Sequence, residues 1–245
     1  VTVVTGGGRG IGAATVELLA AAGHALVVGF LSDEDAAERT AAAARRAGAE
    51  CLVVRAEVST EPGAEVLFDA AVERFGGVTG LVNNAGLTLH IGDLADTPVE
   101  VIRRVIDVNL LGTVLCARRA AQLMSTRHGG RGGAIVNVSS SAATLGSAHE
   151  YVHYAAAKAG VDALTVGLAR ELATEGVRVN AVAPGIVRTE IHAAAGDPGR
   201  ADRVAARVPL GRAAEPSDIA PAITWLLGDE ARYVTGATIR VAGGL

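Results

Sequence analysis

Tyr154 and Lys158 stand four residues apart in the stretch HYAAAKAG, behind a run of three serines, Ser139 to Ser141. That spacing puts both side chains on one face of a helix. A free tyrosine titrates at about 10, too high to exchange protons readily at neutral pH. An ammonium about 4 Å from the phenol oxygen, at an effective dielectric of about 20, favours phenolate by roughly 4 kcal/mol. At about 1.4 kcal/mol per pH unit, the phenol falls by roughly three units, to near pH 7. A phenol poised there can give a proton to a carbonyl or take one from an alcohol. Tyr151 is a rival, since Lys158 lies seven residues on along the same face. Two helical turns span roughly 10 Å, too far for direct contact. Tyr151 is expected to line a substrate mouth or to pack.

The elements that must position this pair follow from the alternation of short β-branched runs with longer alanine-rich stretches. Strands are expected at Val1–Thr5, Ala25–Phe30, Cys51–Arg55, Gly80–Asn83, Ala134–Ser139, Arg178–Ala183 and Ala237–Val241. Helices are expected at Ile11–Ala22, Asp33–Ala47, Gly63–Phe75, Pro98–Ser125, Tyr154–Thr174 and Ser217–Leu227. The strands are almost wholly apolar, which suits a parallel sheet covered on both faces. The fold class is α/β, a doubly wound parallel sheet in a single domain. The stretch from Ile186 to Val208 has the weakest core periodicity and contains Gly196, Pro198 and Gly199. It reads as an insertion or a lid over the substrate.

The opening VTVVTGGGRGIG places Gly6, Gly10 and Gly12 between a strand and a helix. Bare backbone there lets a pyrophosphate approach, and the helix N-terminus favours its charge. A methyltransferase binding an adenosyl cofactor can use a similar loop, but that reading leaves the serine, tyrosine and lysine unexplained.

The joint pattern Thr5-Gly6-x-x-x-Gly10-Ile11-Gly12, then Asn83-Asn84-Ala85-Gly86, Asn109, Ser140, Tyr154-x-x-x-Lys158 and Pro184-Gly185 resembles the short-chain dehydrogenase/reductase family. The match runs to the end of the chain, where YVTGATIRVAGG resembles the family's last strand. The resemblance implies a Rossmann-type sheet, with Tyr154 as general acid/base. Lys158 would lower the tyrosine's pKa and bind the nicotinamide ribose. Ser140 would hold the substrate carbonyl, and Asn109 would support a water joining Lys158 to solvent. Counting forward from the strand gives Ser140, while counting back from Tyr154 at the commonest family spacing gives Ser141. A longer intervening loop reconciles the two in favour of Ser140. Asn84, Ala85 and Gly86 would run along the cofactor, with Asn83 tying strands together. Glu57 and Val58 fall where the family contacts adenine, and Pro184, Gly185, Ile186 and Thr189 where it meets the nicotinamide.

At the end of the second strand, an acid that would bind the NAD ribose is replaced by Phe30. Arg9 and Ser32 suit a 2′-phosphate instead, so NADP is preferred, with NAD the alternative. Asp33 stands about 20 residues past Gly12 and competes for the acid's role. It is read, with Glu34 and Asp35, as a helix N-terminal residue. The resemblance leaves the substrate open between a 3-oxoacyl thioester and a sugar or polyol, and implies a homotetramer built on the two long helices. The rival class is a cofactor-binding regulatory or scaffold protein without turnover.

Half of the 245 residues are hydrophobic and the net charge is −4, with acids and bases interspersed, so no nucleic-acid footprint is visible. No apolar run reaches the roughly 18 residues of a membrane span, and no signal peptide precedes the first strand. The chain opens inside a strand pattern without methionine, so a few natural residues are expected before it. Cys51 and Cys116 are too few for a disulfide framework, and a reducing cytoplasm is expected. His90, His149, His153 and His192 show no metal-ligand pattern. Only His149 and His192 are candidates for substrate contact.

Overall fold

The computed structural model describes residues 1–245. Seven strands form one parallel sheet: β1 (Thr2–Val4), β2 (Leu26–Phe30), β3 (Cys51–Arg55), β4 (Gly80–Asn83), β5 (Gly133–Val138), β6 (Val177–Pro184) and β7 (Thr238–Val241). Their spatial order is β3-β2-β1-β4-β5-β6-β7. Successive side chains in a strand point to opposite faces, so a strand covered on both sides must be apolar at every position. Val3, Val27, Leu81 and Ile135 feed one core, whereas Val4, Val28, Val82 and Val136 feed the other. That explains the unbroken apolar runs.

The first core is closed by α3 (Glu61–Phe75), α5 (Gly112–Met124) and α7 (Val152–Leu172), through residues such as Phe68, Met124 and Leu172. The second is closed by α1 (Gly10–Ala21), α2 (Glu34–Arg46) and α10 (Pro216–Leu227), through Leu19, Ala37 and Ile223. Chain order leaves β1 toward β2 on one side and restarts at β4 on the other. The crevice at the carboxyl ends of β1 and β4 is therefore the topological switch point, where open α/β sheets bind ligands.

Two expected elements differ in detail. The stretch Pro98–Ser125 is α4 (Val99–Ile106), a π-helical turn over Asp107–Leu111, and then α5. π-turns of this kind frequently mark functional sites, and this one carries Asn109 in its middle. The stretch from 186 to 208 holds two short helices, α8 (Ile191–Ala194) and α9 (Arg200–Ala205). A further short helix, α6 (Ala142–Leu145), follows the serine run. No helix is long and apolar enough to cross a membrane.

Candidate active site

The glycine loop is held open by geometry that only glycine tolerates. Gly6 and Gly10 have φ of +61° and +54°, where a Cβ costs about 1–2 kcal/mol. A Cβ on Gly12 would lie 2.4 Å from the Gly6 carbonyl. Arg9, at the N-cap of α1, places no side-chain acceptor on the first-turn N–H groups. Those donors stay free for an anion. Asn84 Nδ2 donates to the carbonyls of Thr5 (3.0 Å) and Gly6 (2.9 Å), and Thr5 Oγ1 accepts from the N–H groups of Asn84 and Ala85, each at 3.0 Å. The Asn84 amide is thus spent on clamping the loop. Asn83 bridges β4 to β5 through Asn137 (2.9 Å), as expected of a strand tie.

One cavity of about 430 Å³ runs along the strand ends, from Arg9, Phe30 and Ser32 at one end to Arg207 at the other. Ile11 also lines it, as do Glu57, Val58, Ala85, Gly86, Pro184, Gly185, Ile186 and Thr189. Asp33 is committed elsewhere in part, since its Oδ1 accepts from Ala36 N (2.9 Å) and caps α2. Glu57 is not merely exposed. Arg104 from α4 pairs with it at 2.8 Å, and Ser59 Oγ donates to it at 2.6 Å. Partial burial pushes this carboxyl up, but the Arg104 and Ser59 bonds outweigh that and hold it below its usual value. Thr189 packs beside Gly10, 3.2 Å from where a Cβ there would sit.

Tyr154 and Lys158 are both buried on α7. Their spacing shares a face as predicted, but the lysine does not reach the phenol in the way its spacing suggested. Lys158 Nζ donates to the Val138 carbonyl at the end of β5 (2.8 Å) and lies 5.7 Å from the Tyr154 ring centroid. Burial lowers its pKa from 10.5 to about 8, against a smaller upward pull from Asp162. Burial pushes the Tyr154 phenol up instead of down; neighbouring Tyr151 adds to the rise and the Ser140 hydroxyl partly offsets it. In this state desolvation wins over charge, and Tyr154 is a neutral acid at pH 7.

Ser140 lines the cavity with Tyr154, and its Oγ accepts from Ala142 N at 3.1 Å. Ser139 Oγ turns to the Lys158 carbonyl (3.4 Å), and Ser141 sits at the N-cap of α6. Asn109 is fully buried in the π-turn, with Nδ2 donating to the carbonyls of Leu87 and Val105, both at 2.8 Å. It fixes the loop that follows β4. A Cβ on Gly86 would come within 2.7 Å of Asn109 Oδ1 and 3.6 Å of Lys158 Nζ.

His192 lines the cavity, while His149 turns outward to Asp93 (2.8 Å) with its side chain 85% exposed. Two residues at the site had no local signal in the sequence. Arg104 meets Glu57 from a distant helix, and Arg200, which is buried, meets Glu150 and Tyr151.

Residues 6–245 match the family profile described as enoyl-(acyl carrier protein) reductase. The chain is 44% identical over 244 residues to an Escherichia coli protein described as uncharacterized oxidoreductase YgfF, covering 100% of this chain and 99% of that one. It is 43% identical over 244 residues to cis-4-hydroxycyclohexanecarboxylate dehydrogenase of Sinomonas cyclohexanicum, covering 100% and 95% respectively. The crystal structure of a short-chain type dehydrogenase/reductase from Mycobacterium marinum superposes with a TM-score of 0.92 at 30% identity, over 99% of this chain and 94% of that one.

The chain belongs to the short-chain dehydrogenase/reductase family. It is an oxidoreductase acting on CH–OH groups, and the family's cofactors are nicotinamide dinucleotides. The residues of this dehydrogenase/reductase fit such a group: the bare glycine cradle and uncapped α1 suit the pyrophosphate, and the cavity runs on from there to Tyr154.

A buried ammonium has a consequence for stability. The unfolded lysine keeps its proton to about 10.5, and the folded one loses it at about 8. Between those values the unfolded state binds more protons, so stability rises with pH; below about 8 the native state carries the full desolvation cost, about 3 kcal/mol. Lys158→Met in the cofactor-free enzyme is therefore expected to melt higher than wild type at pH 7, with the gap closing between pH 8 and 10.5. Thermal unfolding across that range checks this, and a variant no more stable at pH 7 would contradict it.

Proposed function

We propose that this enzyme is an NADP-dependent oxidoreductase that interconverts a carbonyl and a secondary alcohol, with Tyr154 as the general acid/base. The observation that carries this is the buried Tyr154 phenol, which lines one cavity with Ser140, Lys158 and the glycine loop. The bound dinucleotide supplies or accepts the hydride. In the reducing direction negative charge builds on the substrate oxygen, and Tyr154 and Ser140 donate to it. One such donor is commonly worth about 10²–10³ in rate. Lys158 places a positive charge on the same face, anchored to Val138, and favours phenolate as the proton leaves. Asn109 holds the Leu87 backbone and, through Gly86, borders Lys158.

Arg9 is exposed at the adenosine end of the cavity, beside Ser32, while Asp33 caps α2. A 2′-phosphate finds a cation there, which supports NADP over NAD. Beyond Tyr154 the wall carries Ala142, Leu145, Val187, Ile191 and Val204, interspersed with the polar groups of Ser141, Tyr151, His192 and Arg207. The five apolar residues give room for a ketone on a hydrophobic frame, alicyclic or acyl, and the Sinomonas relative's named substrate is an alicyclic alcohol. Residues 186–208, which supply part of this wall, act as its cover. The free thiols Cys51 and Cys116 fit a cytoplasmic setting.

Following NADPH and NADH oxidation with cyclohexanones, 3-oxoacyl thioesters and aldoses tests this reading. Turnover is expected with NADPH and with the first two classes. Arg9→Ala should raise the NADPH KM about tenfold, the equivalent of about 1.4 kcal/mol, and leave NADH nearly unaffected. Binding of NADPH without reduction of any ketone, aldehyde or thioester would favour a regulatory protein. Equal preference for NADH would refute the role of Arg9.

The enzyme is also proposed to be a homotetramer. Val99 (60% exposed), Ile106, Leu111 and Val166 leave apolar surface on α4, the π-turn and α7. Sedimentation at micromolar concentration is expected to give four times the mass of the chain, and a monomer would contradict this.

A further inference from the structure

Arg200 is the first residue of α9, in the segment that covers the cavity, yet its side chain is only 4% exposed. Buried guanidinium groups are stable only when paired. Nη1 and Nη2 donate to the two carboxylate oxygens of Glu150, at 3.1 and 2.6 Å, and Nη2 also donates to Tyr151 Oη at 2.8 Å. Nε has no partner, so every bond the group makes goes to these two residues. The guanidinium also lies 5.2 Å from the centroid of the Tyr151 ring.

Glu150 and Tyr151 close the loop between α6 and α7. That loop holds Ser147 and His149 with φ of +49° and +61°. Non-glycine residues are disfavoured in the left-handed region and persist only where their surroundings hold them. Within the loop, the N–H groups of Glu150 and Tyr151 donate to the Ser147 carbonyl, at 3.2 and 3.1 Å; Gly92 N donates to the Glu150 carbonyl at 2.8 Å. The Glu150 side chain is anchored by Arg200. Tyr151 in turn stands edge-on to Tyr154, with ring centroids 5.3 Å apart and planes at 84°.

We propose that Arg200 is a positioning residue for the reaction. It pins α9 to the loop ahead of α7 and holds the Tyr151 ring against Tyr154, so that the cover and the proton donor are fixed together. A shared anchor of this kind couples closure over the substrate to alignment of the acid. The proposal rests on Tyr154 being the general acid/base.

Steady-state kinetics on the best ketone of the panel, with NADPH binding followed by fluorescence, tests it. Arg200→Met is expected to lower kcat at least tenfold while the NADPH Kd changes less than twofold. Arg200→Lys keeps the charge but loses the two-pronged contact, and should recover less than half of the loss. Tyr151→Phe keeps the ring and the Arg200–Glu150 pair, and should lower kcat in the same sense. The double variant Arg200→Met/Tyr151→Phe should be no slower than Arg200→Met alone. A change in KM alone, or losses that multiply in the double variant, would overturn the proposal. Where Arg200→Met does not fold, Tyr151→Phe decides, and a wild-type kcat there overturns it. Failure of the wild-type enzyme to reduce any ketone would refute the oxidoreductase reading itself. Turnover by wild type with equally active Arg200 and Tyr151 variants would refute the positioning role of Arg200 alone.

Discussion

The active end of this molecule depends on the close approach of two chain reversals at the switch point of the sheet. The glycine loop leaves β1 and the Asn84–Gly86 turn leaves β4, and Asn84 and Thr5 bond them together across the crevice. The contact admits almost nothing larger than glycine: a Cβ on Gly6 would lie 3.0 Å from Ala85 Cα. From Gly86 the contact continues to Asn109 and Lys158, and from Lys158 to the carbonyl of Val138. The proposed cradle for a dinucleotide and the helix that bears the proposed proton donor are therefore parts of one packed unit.

The same packing explains the electrostatics. Lys158 and Tyr154 are removed from water together, and burial disfavours the charged form of each. The lysine falls to about 8 and the phenol rises, so the free enzyme carries a neutral acid beside an ammonium held at the edge of its range. Spacing alone implied a phenol that titrates near pH 7, because it counted the charge and omitted the loss of solvent. A neutral Tyr154 is the form that the proposed reducing step requires. In the oxidising direction the nearby cation lowers the cost of forming phenolate.

Much of this was legible in the chain. β-branched runs located all seven strands, and the glycine spacing behind β1 located the cradle, because both are consequences of local sterics. The π-turn around Asn109 was not, since nothing in its residues distinguishes it from the helix on either side. Nor was the direction of Lys158, because helical spacing gives a shared face and leaves the side-chain torsions free. Arg200 and Glu150 are 50 residues apart, and only the folded chain shows that they meet. His149 was misjudged for a related reason, as its left-handed backbone turns the ring away from the cavity.

The central claim is that the Tyr154 hydroxyl carries the proton. The direct measurement is turnover by Tyr154→Phe, which removes one oxygen and keeps the ring that packs against Tyr151. With saturating NADPH and a ketone substrate, the rate is expected to fall by about 10²–10⁴, while the Kd for NADPH stays within about threefold of wild type. A variant that binds NADPH and reduces the ketone at the wild-type rate would contradict the account.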